Sequence, residues 1–149
     1  MAVERMAGHL IRRLHQVSTQ VFNQHMQAAG YDLTSVQFAA LDAIAANPGV
    51  DQARIAGLIS YDRATIGGVI DRLEQKGLVI RKTSPKDRRA KEVSLSPEGE
   101  AIIGPLFALV ESLQPEILLG LDHAERAVFL KLARKALLAS GTRPSKPQV

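Results

Sequence analysis

Residues 51–91 read DQARIAGLISYDRATIGGVIDRLEQKGLVIRKTSPKDRRAK, and this stretch decides the fold of the 149-residue chain. It begins with a short apolar-periodic helix, Gln52 to Ile59, and the turn SYD leads into a second helix, Arg63 to Lys76. Gly77 ends the second helix, after which the strand LVIRKT runs into the basic loop SPKDRRAK. This order predicts two helices joined by a tight turn and followed by a charged hairpin.

The second helix has an apolar face and an open face. Its apolar residues follow the i, i+3, i+4, i+7 spacing of a buried face: Ile66, Val69, Ile70 and Leu73. The open face and its flank carry Gly68 and Gly67, each of which costs about 1 kcal/mol relative to alanine inside a helix. Close approach of the helix backbone to another surface, such as the wall of a DNA major groove, would explain that cost. A glycine pair set by packing within the protein is the alternative.

The loop after the second helix is strongly basic. Between Arg81 and Lys91 there are six basic residues and one acidic residue, Asp87. A basic hairpin tip beside such a helix suits contact with DNA phosphates or insertion of arginine into a minor groove. A solvated surface loop is the alternative, but the neighbouring helix pair favours DNA. We therefore predict a winged helix-turn-helix DNA-binding domain over residues 33–96.

The candidate DNA contacts lie on the second helix and at the wing tip: Arg63, Ala64, Thr65, Gly67, Gly68, Arg72, Lys86, Arg88 and Arg89. Arginine and threonine side chains can reach bases or phosphates from such positions. Asp87 is expected to have a structural role in the wing, where it would hold Arg89 or another arginine in place.

The run IDRLEQKGLVIRKTSPKDRRAKEVSLSPEGE, residues 70–100, resembles the central signature of the MarR family of bacterial transcriptional regulators. In that family a DRLE-like helix end and K-G-L-V precede an arginine-bearing strand. A wing with D-x-R follows, matched here by Asp87 and Arg89. A strand of the form V-x-L-T closes the signature, matched by Val93, Leu95 and Ser96, with serine in place of the more usual threonine. The resemblance covers nearly the whole chain and implies a dimeric repressor.

The terminal segments predict long helices with more apolar surface than a small winged domain can cover. Residues 1–29 read as one long helix with a heptad seam that Gly30 ends, and residues 97–139 read as two further helices. Together they form the predicted dimerisation region, and residues 140–149 form a polar, Pro-containing tail that we expect to be disordered. The candidate interface residues are Val3, Ala7, Leu10, Leu14, Val17, Val128, Phe129 and Leu132. The alternative is a monomeric helical bundle.

Helix starts are marked by capping residues: Thr34 with Gln37, Asp51, Ser96 before Pro97, and Asp122 with Glu125. The predicted fold class is therefore mainly α with a small β-wing, a winged helix-turn-helix plus a terminal-helix dimerisation region.

Composition and motifs exclude several other classes of protein. The net charge of +4 is consistent with a polyanionic partner, and the absence of cysteine excludes disulfides and thiol-based redox sensing. No apolar run approaches the roughly 20 residues that span a bilayer, so we expect a cytoplasmic protein without membrane contact. We find no catalytic constellation, no phosphate-binding loop and no metal-ligand spacing among the four histidines. We expect neither an enzyme nor a bound cofactor or metal.

The family resemblance also implies release from DNA by a small ligand, often an aromatic carboxylate, held near basic residues of the first helix. The matching candidates are His9, Arg12, Arg13 and His15, with Tyr31 and Phe38 as walls. An arginine fork suits a carboxylate, and a histidine could bond a ring hydroxyl or ring nitrogen. Residues 31–74 look closest to regulators of aromatic-acid catabolism, which suggests a hydroxybenzoate, hydroxycinnamate or hydroxynicotinate. The alternative is that these residues serve only dimer packing and surface charge.

The expected function is that of a homodimeric transcriptional repressor that binds double-stranded DNA at a pseudo-palindromic operator. Two other classes remain open at this point. One is a winged-helix module that binds an acidic protein partner, and the other is a metal-responsive regulator that uses the histidines with Asp or Glu.

Overall fold

The computed structural model describes residues 1–141, which form six α-helices and one small antiparallel sheet. The elements follow in the order α1 Ala7–Ala29, α2 Ser35–Ala46, β1 Val50–Asp51, α3 Gln52–Leu58, α4 Ile66–Gln75, β2 Val79–Thr83, β3 Lys91–Leu95, α5 Pro97–Ile117 and α6 His123–Ser140. The chain forms two compact units, Met1–Leu113 and the segment that begins at Gln114. The predicted fold class, mainly α with a small β-wing, is confirmed.

The first helix is shorter than the sequence predicted. Residues Ala2–Arg5 form a separate 3₁₀ turn, and Met6 then adopts an extended conformation before α1 begins. The amino-terminal ammonium group pairs with the Glu4 carboxylate at 2.9 Å, which closes the 3₁₀ turn on itself. Gly30 ends α1 with φ +79°, as predicted.

The predicted cap of α2 is confirmed and fixes the loop that precedes it. Thr34 Oγ1 accepts the backbone N–H of Gln37 at 3.1 Å, and Gln37 Oε1 accepts the backbone N–H of Thr34 at 3.1 Å. The Gln37 side chain is buried, so this reciprocal pair satisfies polar groups that water does not reach.

The hydrophobic core of the first unit lies where α2, α3 and α4 meet the sheet and the last turns of α1. Ile66, Ile70 and Leu73 of α4 are fully buried, and Val69 packs against them half-buried, so the predicted apolar face is confirmed. The long helices contribute Phe22 and Met26 from α1 and Leu106 and Val110 from α5. This packing presents the opposite face of α4 to solvent.

The sheet has the strand order β1-β3-β2, with both pairings antiparallel. Val79 and Val93 point into the core, which fixes the register because a shift of one residue would expose both. The short first strand starts at Val50, which pairs with Val93, and it closes the sheet against α2 and α3. The hairpin between β2 and β3 projects away from this packed base.

A close junction joins the start of α5 to the end of α4. Ser96 Oγ donates a hydrogen bond to the Gly77 carbonyl at 2.5 Å and accepts the Gly99 N–H at 3.0 Å. A methyl group placed on Gly99 would lie 2.1 Å from the Leu78 carbonyl oxygen, so no larger residue fits there without a shift of the backbone. Ser96 thus acts as the predicted cap of α5.

In the second unit, α6 starts at the predicted cap. Asp122 Oδ1 accepts the Glu125 N–H at 2.9 Å, and Glu125 Oε1 accepts the Asp122 N–H at 3.0 Å. Ser140, which the sequence assigned to the tail, is instead the last residue of α6, and its Oγ donates a hydrogen bond to the Leu137 carbonyl at 2.6 Å within the last turn. Residues 142–149 of the predicted tail lie outside the described residues. None of the described helices is both long enough and apolar enough for a bilayer span.

Candidate DNA-binding interface

Helix α4, which we call the recognition helix, starts later than predicted. Arg63, Ala64 and Thr65 lie in a turn before α4 rather than inside the helix. Asp62 holds this turn, because its carboxylate accepts the Ala64 N–H at 3.0 Å and its carbonyl accepts the Thr65 hydroxyl at 3.3 Å. Such local bonds offer the backbone an alternative to helical geometry. The three candidate residues are exposed at the amino-terminal end of α4, where a duplex could reach them.

The glycine pair has little internal explanation. A methyl group on Gly68 would meet no atom of the described residues within 4 Å, and one on Gly67 would meet only Nε2 of Gln52, at 3.2 Å. The latter atom is the end of a flexible side chain. Packing within the described chain therefore does not require Gly68, whereas alanine at position 67 would need the Gln52 side chain, which Arg81 also contacts, to move.

The wing tip is held by backbone and short side-chain bonds. Asp87 Oδ1 accepts the N–H of Arg89 at 2.9 Å, and the Asp87 carbonyl accepts the N–H of Ala90 at 3.0 Å. Ser84 Oγ accepts the N–H of Lys86 at 3.2 Å. The carboxylate of Asp87 thus fixes the backbone beside Arg89, while the side chains of Lys86, Arg88 and Arg89 are exposed.

An open cleft joins the start of α4 to the wing. It has a volume of about 470 Å³, and Arg63, Arg89 and Lys91 line it together with Asp51 and Asp87. Two arginine residues, one from each predicted contact region, therefore border the same cleft. Arg72 lies elsewhere on α4 and borders a groove of about 420 Å³ with Thr34, Tyr61 and Gly68, among others.

Arg81 differs from the other basic residues of the wing. Its guanidinium pairs with Asp71 and, at 3.1 Å, with Glu74, both on α4, and also bonds Gln52 Oε1 at 3.3 Å. The hydrogen bond to Glu74 is the main cause that raises the pKa of Arg81 above its ordinary value, against partial desolvation. Its side chain is only 21% exposed. Arg81 therefore fastens the wing to the recognition helix. It is one of the six basic residues between Arg81 and Lys91, but its charge is paired and is not available to DNA.

The effector candidates fall into two groups that one chain does not bring together. His9 Nδ1 and Arg12 lie 3.2 Å apart, Arg13 donates to Gln16 at 3.3 Å, and these side chains lie on the first half of α1 with His15. Phe38 instead packs against Phe22, with ring centroids 6.4 Å apart. Because Phe22 is nine residues beyond Arg13 on α1, the two groups are separated by about 13 Å along the helix axis.

Tyr31 lines a separate open cavity at the end of α1. The cavity has a volume of about 430 Å³, and polar groups of Asn23, Gln27 and Asp32 border it beside Met26. Tyr31 is half-buried against the core.

The candidate interface residues leave an apolar stripe uncovered in the single chain. Leu10 is 48% exposed and Val17 38%, with Ala7 and Leu14 also exposed and Val3 partly covered. On α6, Val128 is 55% exposed and Leu132 56%, whereas Phe129 is half-buried. Among residues 1–141, no three His, Cys, Asp or Glu side chains are grouped so that they could hold a metal ion.

Known proteins of similar sequence are transcriptional regulators. The MarR family model matches residues 31–90. The transcriptional regulator HosA of Escherichia coli O111:H- is 33% identical over 139 residues, which cover 93% of this chain and all of HosA. The HTH-type transcriptional repressor NicR of Pseudomonas putida KT2440 is 33% identical over 91% of this chain and 84% of NicR.

The fold is also that of a solved regulator. The structure of BpsR from Bordetella bronchiseptica, whose DNA binding is described as regulated by 6-hydroxynicotinic acid, superposes with a TM-score of 0.81. The two sequences are 31% identical, and the match covers 89% of this chain and 93% of BpsR.

Proposed function

The chain belongs to the MarR family of transcriptional regulators, and we propose that it is a homodimeric repressor that leaves its operator when a small aromatic acid binds. The operator would be pseudo-palindromic, because a two-fold dimer presents its two recognition helices to successive turns of a duplex, about 34 Å apart.

The shared cleft of Arg63 and Arg89 is the observation that carries the DNA-binding part of this proposal. No ion pair holds either guanidinium, or that of Arg88, within the described part of the chain, whereas Arg81 is neutralised by Asp71 and Glu74. Unpaired cations at the start of a recognition helix and at the tip of a wing can replace the counterions of DNA phosphates. The helix would enter the major groove, and the wing would reach the adjacent minor groove or the backbone.

The uncovered apolar stripes of α1 and α6 support the dimer. Leu10 and Val17 follow the heptad spacing on α1, and Val128 and Leu132 are four residues apart on one face of α6. A second copy of the chain would remove these surfaces from water, at about 25 cal/mol for each Å² of apolar area buried.

A duplex selected by the purified protein from a randomised pool gives the test of DNA binding. We expect Arg89→Ala to lower affinity for that duplex at least tenfold and to reduce the slope of log affinity against log salt by about one for each lost phosphate contact. Arg134→Ala, which removes an exposed charge from α6, is the matched control and should change neither quantity. Sedimentation checks that both variants remain dimers. Equal affinity of the wild type and Arg89→Ala would contradict the assigned role of the wing.

The proposed ligand is an aromatic carboxylate, such as a hydroxybenzoate, a hydroxycinnamate or a hydroxynicotinate. The similarity to BpsR supports this class, and the basic first half of α1, with Arg12 and Arg13 beside His9 and His15, offers groups that bind a carboxylate and a ring hydroxyl or nitrogen. Tyr31 and Phe38 would contribute walls to the site in the dimer. Binding would change the separation of the two recognition helices, so that both half-sites could no longer be occupied at once.

Calorimetry with a panel of these acids tests the ligand class. We expect at least one acid to bind the wild type, to bind Arg13→Ala at least tenfold more weakly, and to bind the control Arg134→Ala normally. A panel in which no acid binds the wild type would refute the proposed class while leaving the DNA-binding proposal intact.

A further inference from the structure

We propose that Lys76 is a positioning residue for DNA binding, which sets the angle of the recognition helix by joining its carboxyl end to the loop between α1 and α2. This inference rests on the proposed DNA-binding function and assigns a basic residue to a task other than phosphate contact.

The Lys76 ammonium group has two hydrogen-bond acceptors and one carboxylate neighbour on a distant part of the chain. It donates to the backbone carbonyl of Asp32 and to Gln37 Oε1, the latter at 3.2 Å, and it lies 3.6 Å from the Asp32 carboxylate. These partners precede Lys76 by 44 and 39 residues. The side chain is only 29% exposed, so it lies across the start of α2 rather than extending into solvent. Hydrogen bonds to an ionised donor are among the stronger ones.

Gln37 makes this contact a fixed one. Its side chain is buried, and its Oε1 also accepts the Thr34 N–H at 3.1 Å, while its own N–H bonds Thr34 Oγ1. The acceptor of Lys76 is therefore held by the cap of α2 and cannot follow a movement of α4. A surface ion pair with Asp32 alone would contribute little, because that carboxylate is fully in solvent.

The recognition helix has polar contacts to other elements at its carboxyl end, and exposed polar residues at its amino end. Besides the Lys76 contacts, the carbonyl of Gly77 accepts the Ser96 hydroxyl at 2.5 Å. At the amino end, Thr65 makes no side-chain cap bond among the described residues, and Arg63 and Gly68 are exposed. The polar contacts that join α4 to the α1–α2 loop and to α5 thus lie at its carboxyl end, whereas the proposed DNA contacts of Arg63 and Gly68 lie towards its amino end.

This arrangement makes the angle of α4 sensitive to the anchor. Ten residues span about 15 Å, so a tilt of about 10° about the carboxyl end moves the amino end by about 2.6 Å. A displacement of that size is enough to break a hydrogen bond to a base or phosphate, which needs a separation of about 3 Å. The loop that holds Lys76 also carries Tyr31, so a ligand that moves this loop would move the recognition helix with it.

The experiment compares Lys76→Met and Lys76→Arg with the wild type on the duplex that the wild type selects from a randomised pool. We expect Lys76→Met to weaken binding about tenfold with an unchanged salt slope, because no phosphate contact is lost. We expect Lys76→Arg to bind within about twofold of the wild type, since its guanidinium can reach the same acceptors. Lys86→Met at the wing tip is the comparison variant, and its salt slope should fall by about one.

Any of three results would overturn the inference. A salt slope that falls by about one in Lys76→Met would make Lys76 a phosphate contact, and an affinity of Lys76→Met equal to that of the wild type would leave it a merely structural residue. A Lys76→Arg variant that binds as weakly as Lys76→Met would show that the Asp32 and Gln37 acceptors are not the partners that matter. A wild type that selects no duplex would instead refute the proposed function itself.

Discussion

Replacement of Gly68 by alanine should make the protein more stable and a worse DNA binder. The added methyl group meets no atom of the described residues within 4 Å, so it fits without a steric clash. Alanine is about 1 kcal/mol more favourable than glycine in a helix interior. For a chain of this length, that gain corresponds to a rise of about 2–4 °C in melting temperature.

The expected effect on DNA affinity has the opposite sign. If the backbone at Gly68 lies against the wall of the major groove, a methyl group there overfills a packed interface, which typically costs about 1–3 kcal/mol. A loss of that size weakens binding by a factor of about 5 to 150. The two effects are measured separately, by thermal unfolding without DNA and by titration of the selected duplex.

Gly8→Ala provides the control. Gly8 also lies inside a helix, α1, and a methyl group there would likewise meet nothing within 4 Å among the described residues. This variant should be no less stable than the wild type and should bind DNA as the wild type does. A Gly68→Ala protein that binds DNA normally would refute the idea that Gly68 allows the backbone of α4 to approach DNA closely. A Gly68→Ala protein that is less stable than the wild type would show that the added methyl group meets a neighbour outside the single chain.

Three further changes test individual contacts within the two units. Gly99→Ala places a methyl group 2.1 Å from the Leu78 carbonyl oxygen, and only a shift of the backbone can relieve that contact. We expect the free energy of unfolding in urea to fall by about 3 kcal/mol, and a fall below about 1 kcal/mol would contradict the tight junction. Arg81→Met removes the link between wing and α4, so DNA affinity should fall while the salt slope stays constant; a slope lower by about one would show that Arg81 contacts phosphate after all. The pKa of Asp122 is lowered mainly because its carboxylate accepts a backbone N–H of α6. The stability that the ionised Asp122 cap adds is therefore present above pH 3.8 and is lost as the pH falls through the lowered pKa. Circular dichroism should show a larger acid-induced loss of helix in the wild type than in Asp122→Asn. Equal losses in the two proteins would argue against the cap.

Features set by nearby residues could be predicted from the sequence. The capping bonds of Thr34, Asp51 and Asp122 each involve a partner three residues further on, so the pattern alone identifies both groups. The buried face of α4 was predictable for the same reason, because Ile66, Ile70 and Leu73 recur at the helical period.

Competition between local signals limited the prediction of helix boundaries. The apolar period of α4 extends only from Ile66, and no short pattern marks residues 63–65 as lying outside the helix. Asp62 bonds to this segment, because its carboxylate accepts the Ala64 N–H and its carbonyl accepts the Thr65 hydroxyl. An aspartate before a helix can cap it or form such a turn, and the choice depends on how the chain leaves α3.

Contacts between distant residues were beyond the reach of the sequence. Nothing near Lys76 indicates that its partners are Asp32 and Gln37, and the need for glycine at position 99 follows only from the approach of the Leu78 carbonyl. Both depend on how α2, α4 and α5 pack, which no short pattern encodes.

The position of neutralising carboxylates, rather than the number of basic residues, defines the DNA-binding face. Arg81 and Arg89 belong to the same basic run. The Arg81 guanidinium pairs with two carboxylates of α4, whereas Arg89 only donates its backbone N–H to the Asp87 carboxylate. Asp87 thus shapes the wing without pairing its arginine in the described structure. A carboxylate that paired the Arg89 guanidinium would have to be displaced before a phosphate could bind, at the loss of that pair. The arrangement of acids therefore leaves charge free at the wing tip and removes it at the wing base, where the hairpin must be held to the helix that it accompanies.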